Sequence, residues 1–454
     1  MAELAPLYTA EEMRAAEAGH DVRQLMDRAG SALAEYVVRH FADAARITAV
    51  CGGGNNGGDT RIAARLLEEA GRDVHVVDVK PENEDKALGA PELVLDGIFG
   101  TGFTGEPRAG AARLIEQINA LDADVVAVDV PSGVDASTGE VEGAAVEAQR
   151  TLTFHGEKVG LEVSPGRFSS GLTEVAEIGI APVRTAHARV TDAIVAEVPR
   201  RGAHRPETKY TAGSVLVIGG QPGMTGAICL AAEAAFRADA GYVAVAAPRE
   251  SLPVIEARLL EAVKRPLEQV WDAVERARAI ALGPGLGRSE ERRALVRRLL
   301  DETDLPAVVD ADALHDLEPF QRGAPTVLTP HSGELARLLD VEAAWVDAHR
   351  LEAIRRAVDR FRCVILLKGP ETIVAAPGEQ TLVSPGHDAL ATAGTGDVLT
   401  GIVASFLSKG MDARIAAAAA ARVHANAALA AGHLSGLIAS DVIAALPRAL
   451  DAAV

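Results

Sequence analysis

The chain has 454 residues, which at roughly 150 residues per domain suggests two or three domains. Hydrophobic residues make up 48% of it and charged residues 24%, so a sizeable core is available and general disorder is excluded. The net charge of −19, from 45 Lys and Arg against 64 Asp and Glu, makes a nucleic-acid backbone or an anionic membrane a poor partner.

The cysteines and the N-terminal residues favour a cytoplasmic protein. Cys51, Cys229 and Cys363 are widely spaced and form no CxxC pair, so we expect neither a structural zinc site nor disulfides. The N-terminal stretch is acidic and lacks an apolar segment, so we expect no signal peptide, and the Ala-rich run 415–422 is too short to span a membrane. We further expect a homo-oligomer that binds small molecules and neither nucleic acid nor membrane.

The first half of the chain alternates β-branched runs with amphipathic stretches. This alternation is typical of parallel βαβ units. We predict strands at 47–50, 74–79, 93–95 and 125–130, helices at 60–70 and 111–120, and two possible edge strands at 151–154 and 174–178.

Residues 182–211 lose this periodicity and are rich in Pro, Arg, Gly and Thr, so we interpret them as a linker and the entry to a second domain. The alternation then restarts, with predicted strands at 214–218, 243–246, 280–282, 307–309, 326–328 and 364–367, and helices at 225–240, 397–408, 413–431 and 439–446. We therefore predict two α/β domains, residues 1–195 and 196–454.

A glycine-rich loop follows the first predicted strand. Gly52, Gly54 and Gly57 satisfy G-x-G-x-x-G, and Asp78 lies about twenty residues further on, as in the dinucleotide-binding fingerprint. An NAD-dependent dehydrogenase is therefore an alternative. The loop also contains two asparagines and an aspartate that the fingerprint does not require, and these suggest a polar or cation site.

Two more strand ends carry similar features. Residues 100–105 again fit G-x-G-x-x-G, and the strand at 125–130 ends at Asp129, followed by Pro131-Ser132-Gly133. Each loop alone could be an ordinary βα turn. Three of them at consecutive strand ends predict a ligand site, because parallel sheets bind ligands at their carboxyl edge.

The segments GGGNNGGD, DGIFGTGFTGEPR, DVPSGVDASTG and FHGEKVG resemble the NAD(P)H-hydrate epimerase domain (YjeF N-terminal type) over roughly 1–190, which implies a Rossmann-like three-layer αβα fold. The resemblance implies Asp129 as the acid–base group and a K⁺ site formed by Asn56, Asp96 and Ser132, all of which offer the oxygen ligands of a hard cation. At Thr60 the family usually has glycine, a difference that matters if a positive φ is needed there. Residues that the resemblance assigns to the hydrated nucleotide are Asn55, Asn56, Gly57, Gly58, Asp59, Gly100, Thr101, Gly102, Phe103, Thr104, Gly105 and Glu106.

In the second half, Gly394-Thr395-Gly396-Asp397 precedes a predicted helix. Its N–H groups and the positive helix end predict an anion site. Asp397 beside it is either a first-turn acid that favours the helix dipole or a base that takes a proton from an attacking hydroxyl. No Walker A sequence occurs, which disfavours a P-loop kinase.

Four other strand ends carry glycine-rich or polar segments: 283–287, 310–314, 329–334 and Lys368. A lone His331 is more often a hydrogen-bonded loop residue than a catalyst. Lys368 after a buried strand fits a phosphate or an acidic partner. Glu334 either caps a helix or helps to hold Mg²⁺ through water.

The segments KYTAGSVLVIGG, GMTGA, GPGLG, DADAL, TPHSGELARLL, LKG and ATAGTGDVLTGIVA resemble the ribokinase-like ADP-dependent NAD(P)H-hydrate dehydratase (YjeF C-terminal domain) over roughly 205–430. Gln221 stands where the family usually has serine. By this resemblance Asp397 is the base, and it contacts the hydrate together with Ala227, Gly285 and His331. The adenine nucleotide is expected at Lys368, Gly369, Pro370, Glu371, Thr372, Gly394, Thr395 and Gly396.

Together the two resemblances imply a bifunctional nicotinamide-nucleotide repair enzyme. Its first domain is expected to interconvert the S and R forms of NAD(P)H hydrate, with K⁺ as cofactor. Its second domain is expected to dehydrate the S form at the expense of ADP, giving AMP and phosphate, with Mg²⁺ neutralising the nucleotide charge. The alternatives are a dehydrogenase, a ribokinase-type small-molecule kinase, and a non-enzymatic nucleotide-binding docking protein.

Overall fold

The computed structural model describes residues 4–79, 87–200, 208 and 212–452. They form two compact units, an N-terminal unit of residues 6–187 with 347–350 and a C-terminal unit of the remaining described residues. The division falls near residue 188, because Val190, Ile194 and Val195 are buried in the core of the C-terminal unit. The domain boundary at 195/196 stays a prediction. None of the described helices is long and apolar enough to cross a membrane.

The N-terminal unit contains, in chain order, β1 (Ala5–Leu7), α1 (Ala10–Glu17), α2 (Val22–His40), β2 (Arg46–Cys51), α3 (Asn55–Glu69), β3 (Asp73–Asp78), β4 (Leu93–Gly97), α4 (Ala109–Asn119), β5 (Asp124–Val128), β6 (Arg150–Phe154), α5 (Val159–Glu162), α6 (Gly166–Ser170) and β7 (Leu172–Ala176). Its sheet has the order β3-β2-β4-β5-β6-β7, and all neighbours are parallel. Because β3 and β4 lie on opposite sides of β2, the winding direction changes at β2/β4. A crevice is expected at that point, beyond the carboxyl ends of the strands.

Helix α3 begins at Asn55, five residues earlier than predicted, so most of the glycine-rich segment is helical. The helix can begin this early because positions 57 and 58 are glycines, whose missing side chains leave room for the neighbouring atoms. A Cβ at Gly57 would lie 2.1 Å from the backbone oxygen of Gly52, and one at Gly58 would lie 2.1 Å from the Met26 side chain. The prediction treated these glycines as a loop. The packing of the helix start against the Gly52 backbone requires glycine at position 57, whereas the atom opposing position 58 is the flexible end of the Met26 side chain.

The C-terminal unit contains, in chain order, β8 (His187–Arg189), β9 (Ser214–Ile218), α7 (Thr225–Arg237), β10 (Tyr242–Ala247), α8 (Leu252–Arg258), β11 (Val263–Pro266), α9 (Val270–Val274), β12 (Ala279–Leu282), α10 (Glu290–Glu302), β13 (Ala307–Val309), β14 (Thr326–Leu328), α11 (Ser332–Leu339), α12 (Ala343–Ala348), α13 (Arg350–Phe361), β15 (Val364–Leu367), β16 (Glu371–Ala375), β17 (Thr381–Pro385), α14 (Thr395–Ser408), α15 (Ala413–Ala430) and α16 (Ala439–Asp451).

The main run of its sheet has the order β17-β16-β15-β14-β13-β12-β9-β10-β11. Strands β9 to β15 are parallel, whereas β15, β16 and β17 are antiparallel neighbours. The winding direction changes between β9 and β12, which again creates a crevice at the carboxyl edge.

The described part of the predicted linker is not featureless. It contains β8 and a 3-10 helix at Asp192–Glu197, whose Ile194 and Val195 are fully buried. Apolar side chains within a Pro- and Arg-rich stretch therefore attach this segment to a core, which corrects the linker prediction there. Residues 201–207 and 209–211 of the predicted linker lie outside the described residues.

The Ala-rich run lies in α15, inside the C-terminal unit. Ala416–Ala420 have 0% of their surface exposed. Short side chains allow α15 to pack closely against α14 and α16, so this run is core helix.

Candidate functional sites

A cavity of about 660 Å³ lies at the carboxyl edge of the N-terminal sheet, where the winding direction changes. The loops after β2 and β4, helices α1 and α2, and Asp129 form its walls. Of the predicted substrate residues, those that line it are Asn55, Asn56, Asp59, Gly100, Thr101, Gly102, Phe103 and Thr104. Gly57, Gly58, Gly105 and Glu106 are not among the lining residues; the first two serve the packing of α3.

Asp129 follows β5 in a left-handed conformation (φ 67°), which turns its side chain out of the strand. The fully buried ammonium of Lys158 donates to its carboxylate, and also to Thr153 Oγ1 and Phe154 O, both at 2.8 Å. The same carboxylate accepts from Thr153 Oγ1 at 3.0 Å and Phe154 N at 3.2 Å. Asp129 is thus a positioned, ion-paired carboxylate facing the cavity.

Two further carboxyl groups line the same cavity. Asp59 is 7% exposed, and among the described residues its Oδ1 has no hydrogen-bond partner. Burial, with smaller contributions from Asp129 and Glu17, raises the pKa of Asp59 to about 8. Burial and Asp129 also raise the pKa of Glu17, at the end of α1.

The three predicted K⁺ ligands lie together beneath the loops. Asn56 Nδ2 donates to Phe99 O at 2.6 Å and Val128 O at 2.9 Å, which leaves its buried Oδ1 without a partner. Asp96 accepts from Ser132 Oγ at 2.6 Å and Ser132 N at 2.8 Å. The orphaned amide oxygen beside a buried carboxylate fits a hard cation.

The aspartate of the dinucleotide-binding fingerprint is already engaged. Arg61 donates to Asp78 through Nε at 2.9 Å and Nη2 at 2.6 Å, and to Gly52 O at 2.9 Å. In the dehydrogenase mode this carboxylate must bind a ribose hydroxyl. The ion pair therefore disfavours that alternative.

Thr60 does not need a positive φ. It lies in α3, and its Oγ1 donates to Asn56 O at 2.8 Å. It occupies space next to Gly97, where an added Cβ would lie 2.0 Å from Thr60 Oγ1. The departure from the usual glycine is therefore accommodated by a glycine on the neighbouring strand.

In the C-terminal unit, Asp397 lies in the first turn of α14, near the ends of β13 and β15. Burial and the neighbouring Asp310 carboxylate, opposed by Lys368, raise its pKa to about 7. Lys368 Nζ donates to Asp310 Oδ1 at 2.7 Å and lies 3.8 Å from Glu334. Burial alone would lower the pKa of Lys368, but the carboxylates of Asp310 and Glu334 hold it above its usual value. Thr400 Oγ1 donates to the other oxygen of Asp310 at 2.6 Å.

The start of α14 can receive an anion. Gly394 takes a left-handed conformation (φ 89°) and no side chain caps the helix, so the N–H groups of its first turn are available. Thr395 Oγ1 instead donates to Leu390 O and Thr392 O, both at 2.8 Å. A Cβ added at Gly396 would lie 3.5 Å from Lys368 Nζ. The Lys368 ammonium and the start of α14 therefore face the same site.

His331 and Glu334 cap α11. His331 Nδ1 accepts from Gly333 N at 3.0 Å and Glu334 N at 3.3 Å, while Glu334 Oε2 accepts from His331 N at 2.9 Å. The capping interpretation of Glu334 is confirmed. Because Nδ1 is an acceptor, the proton of neutral His331 lies on Nε2, where it can be donated to a ligand.

The glycine-containing turns after β9 and β12 are joined by backbone hydrogen bonds. Gly220 N donates to Pro284 O at 2.9 Å, and Gln221 N donates to Gly285 O at 2.7 Å. Gly285 (φ 59°) lies against Ala227, so these two predicted substrate residues are neighbours. Gln221, in place of the usual serine, keeps the turn through its backbone.

The predicted nucleotide segment passes from an exposed turn into the sheet. Glu371 and Thr372 belong to β16 and pair with β17, and Glu371 has 0% of its surface exposed. Pro370 O closely approaches Gly386, the residue after β17. Within this segment, Lys368 lies close to the helix start of α14.

Sequence reasoning missed three buried or half-buried groups. Lys158 stands in the quoted segment FHGEKVG, but its burial depends on tertiary packing. Glu17 could have been placed by the Thr9-x-x-Glu12 capping box, which marks the start of α1. His424, on α15, has no comparable local signal; burial lowers its pKa to about 4, and Lys368 lowers it further.

The two crevices define a protein with one Rossmann-like and one ribokinase-like unit. Residues 215–448 match the family model of NAD(P)H-hydrate dehydratase, and residues 22–90 and 76–160 match that of YjeF-related protein N-termini. A solved ADP/ATP-dependent NAD(P)H-hydrate dehydratase from Bacillus subtilis, co-crystallised with ATP/Mg²⁺, is 31% identical with a TM-score of 0.53; the match covers 58% of this chain and 98% of that one.

Two curated relatives match almost the whole chain. The bifunctional NAD(P)H-hydrate repair enzyme of Moorella thermoacetica is 38% identical, covering 94% of this chain and 92% of the relative. The corresponding enzyme of Escherichia coli is 33% identical, covering 95% and 90%. The chain therefore belongs to the family of bifunctional NAD(P)H-hydrate repair enzymes, which combine an epimerase and a dehydratase.

Proposed function

We propose that Asp129 and Asp397 are the proton-transfer groups of the two half-reactions. The observation that carries the proposal is their matching placement: each carboxylate lies at the carboxyl edge of its own sheet, near a buried or largely buried lysine. The N-terminal cavity binds the hydrated nicotinamide ring, and Asp129 moves a proton while C6 inverts. Residues on the walls and the rigid loops orient the ring beside Asp129.

The C-terminal unit dehydrates the S epimer. Asp397 takes the proton of the C6 hydroxyl while the hydroxyl oxygen attacks the terminal phosphorus of ADP, and AMP leaves. The N1 lone pair then expels phosphate from C6, and loss of the C5 proton restores the C5=C6 bond. Lys368 and the first turn of α14 bind the transferred phosphoryl group. Ala227, Gly285 and His331 hold the hydrate against Asp397.

Metal ions complete both sites. Mg²⁺ neutralises the nucleotide phosphates; the Bacillus subtilis structure with ATP/Mg²⁺ supports this, and Glu334 offers an oxygen donor through water. Asn56, Asp96 and Ser132 hold K⁺, which supplies a positive charge beneath the glycine loops. The unpartnered Asn56 Oδ1 supports that assignment.

We also place the protein in the cytoplasm. All three cysteines are free, and Cys51 and Cys229 are buried, which fits a reducing compartment. Assembly into a homo-oligomer stays a prediction.

The test is recovery of reduced-nicotinamide absorbance from chemically hydrated NADH with ADP and Mg²⁺. Wild type should recover both epimers. Asp397→Asn should abolish recovery yet still interconvert the epimers, whereas Asp129→Asn should recover the S epimer only. Absence of recovery from either epimer by wild type would refute the proposal, and loss of interconversion in Asp397→Asn would refute the division of roles.

A further inference from the structure

The cavity of the N-terminal unit contains more ionisable groups than one acid–base residue needs. Glu17 and Arg14 face it from α1, Asp59 from α3, Asp129 from the end of β5, and Lys158 from the residue before α5. Helix α2 and the loop 98–104 contribute only apolar or uncharged side chains to its wall. Three carboxyl groups and two cations therefore share one space of about 660 Å³.

The carboxyl groups of Asp59 and Asp129 are held in different ways. Asp129 has an ammonium, a hydroxyl and a backbone N–H directed at it, all of which stabilise a carboxylate. Among the described residues, the buried Oδ1 of Asp59 has no hydrogen-bond partner. Burial and the two neighbouring carboxyl groups raise the pKa of Asp59 to about 8, so at neutral pH it carries a proton.

We propose that Asp59 is the acid of the epimerase reaction and that Asp129, positioned by Lys158, is the base. A carboxyl group that carries a proton and a carboxylate held in an ion pair, both facing one cavity, can act as an acid–base pair. This inference rests on the proposed function, since it requires the hydrate to bind in the same cavity.

The bond changes are as follows. Asp59 gives its proton to the C6 hydroxyl, the C6–O bond breaks, and the N1 lone pair forms an N1=C6 iminium with release of water. Water adds to the opposite face of C6, the N1=C6 electrons return to N1, and Asp129 takes the proton of the incoming water. One proton has moved from Asp59 to Asp129, and exchange with solvent restores the starting state. No oxidant or reductant is consumed.

The decisive variant is Asp59→Asn, which preserves size but cannot donate the acid proton. In the full chain we expect interconversion of the hydrate epimers to fall by about 100-fold or more in kcat, with KM changed less than about threefold. Glu68→Gln, an exposed carboxylate on the same helix, is the matched control and should be unaffected. A retained kcat in Asp59→Asn, or a loss confined to KM, would overturn the assignment.

Two readouts separate an acid from a residue that only supports the fold. Interconversion by wild type should fall above about pH 8, and Glu17→Gln should move this fall to lower pH, because the removed carboxyl group raises the pKa of Asp59. In H₂¹⁸O, each inversion should place one solvent oxygen at C6. The proposal is contradicted if the rate of Glu17→Gln falls at the same pH as that of wild type, or if C6 inverts without incorporating ¹⁸O.

The dehydratase of the same chain reports separately on folding. Asp59→Asn should still convert the S epimer with ADP at the wild-type rate. If wild type itself does not interconvert the epimers, the proposed function of the cavity fails. If wild type does so and Asp59→Asn does so equally well, only the present inference fails.

Discussion

Asp129 and Asp397 both stand near lysines, but the lysines act on them differently. Lys158 donates directly to Asp129 and has 0% of its surface exposed. Lys368 donates to Asp310 and therefore stabilises the Asp397 carboxylate only partly. Burial outweighs this effect, and the pKa of Asp397 is raised to about 7. Asp129 is therefore held in a direct ion pair, whereas Asp397 has a pKa within the physiological range.

The pKa of Asp397 predicts the pH dependence of the dehydratase. A base must be ionised, so its contribution is lost as pH falls through about 7 and is complete above it. We expect kcat/KM for the S epimer to rise about tenfold per pH unit below 7 and to level off near pH 8. A profile measured between pH 5.5 and 8.5 that stayed flat would contradict this role.

The Lys158–Asp129 pair predicts a strong coupling in stability. Lys158→Met should destabilise the N-terminal unit by about 3–5 kcal/mol, because it leaves a carboxylate unpaired in a buried site. Asp129→Asn in the Lys158→Met background should recover part of this loss. Denaturant unfolding of the two single variants and the double variant gives the coupling, and additive effects would show that the pair is not an energetic unit.

At the scale of elements, the alternation of apolar runs predicted the parallel strands well. Strands β9, β13, β14 and β15 begin and end at the predicted residues, because buried parallel strands are continuous β-branched runs bounded by turns. The antiparallel hairpin β16–β17 was missed because residues 368–372 were assigned to the nucleotide site, although Thr372, Ile373 and Val374 are β-branched residues typical of strands. Helices α1 and α2 were also missed, although both begin at capping side chains.

Much of each site could be predicted from the sequence because glycine loops and polar residues at strand ends are local patterns. Lys158 could not be identified in this way, since its role depends on a carboxylate 29 positions earlier in the chain. Gly57 and Gly58, which the resemblance assigns to the substrate, are not among the residues that line the cavity, and a Cβ at Gly57 would overlap the Gly52 backbone, a contact that no local pattern shows. Their role in substrate binding stays a prediction.

The start of α3 predicts a contrast between two glycines of one loop. Gly57→Ala should destabilise the N-terminal unit by about 1–3 kcal/mol and impair epimerisation, because its Cβ would overlap the Gly52 backbone. Gly54→Ala is the control: its φ is −93°, and a Cβ there meets nothing within 4 Å. Thermal unfolding should separate the two variants, and equal melting temperatures would refute the packing role of Gly57.

At the scale of the whole molecule, the acidic balance limits how the anionic substrates can be bound. With a net charge of −19 the chain offers no general attraction for phosphates, so binding depends on local groups. In the proposed sites, helix N-termini, glycine loops and Lys368 are the groups available for this. The composition therefore disfavours a polyanion partner while remaining compatible with nucleotides.

Two complete sites in one chain predict complementation in trans. A mixture of Asp129→Asn and Asp397→Asn should recover both epimers of hydrated NADH, because an epimer released by one molecule can enter the dehydratase site of another. Asp129→Asn alone should stop after the S epimer. If the mixture also recovered only the S epimer, the two reactions would have to occur within one chain.

The contact between Thr60 and Gly97 sets an order in which this sequence can change. The methyl and hydroxyl of Thr60 occupy the volume that a side chain at position 97 would take. Replacing Gly97 first therefore creates a clash within the sheet edge, whereas shortening Thr60 first only opens a small gap. Substitutions at these two positions are therefore epistatic. A sequence with the larger side chain at position 60 can change to one with the larger side chain at position 97 only through an intermediate that has small residues at both.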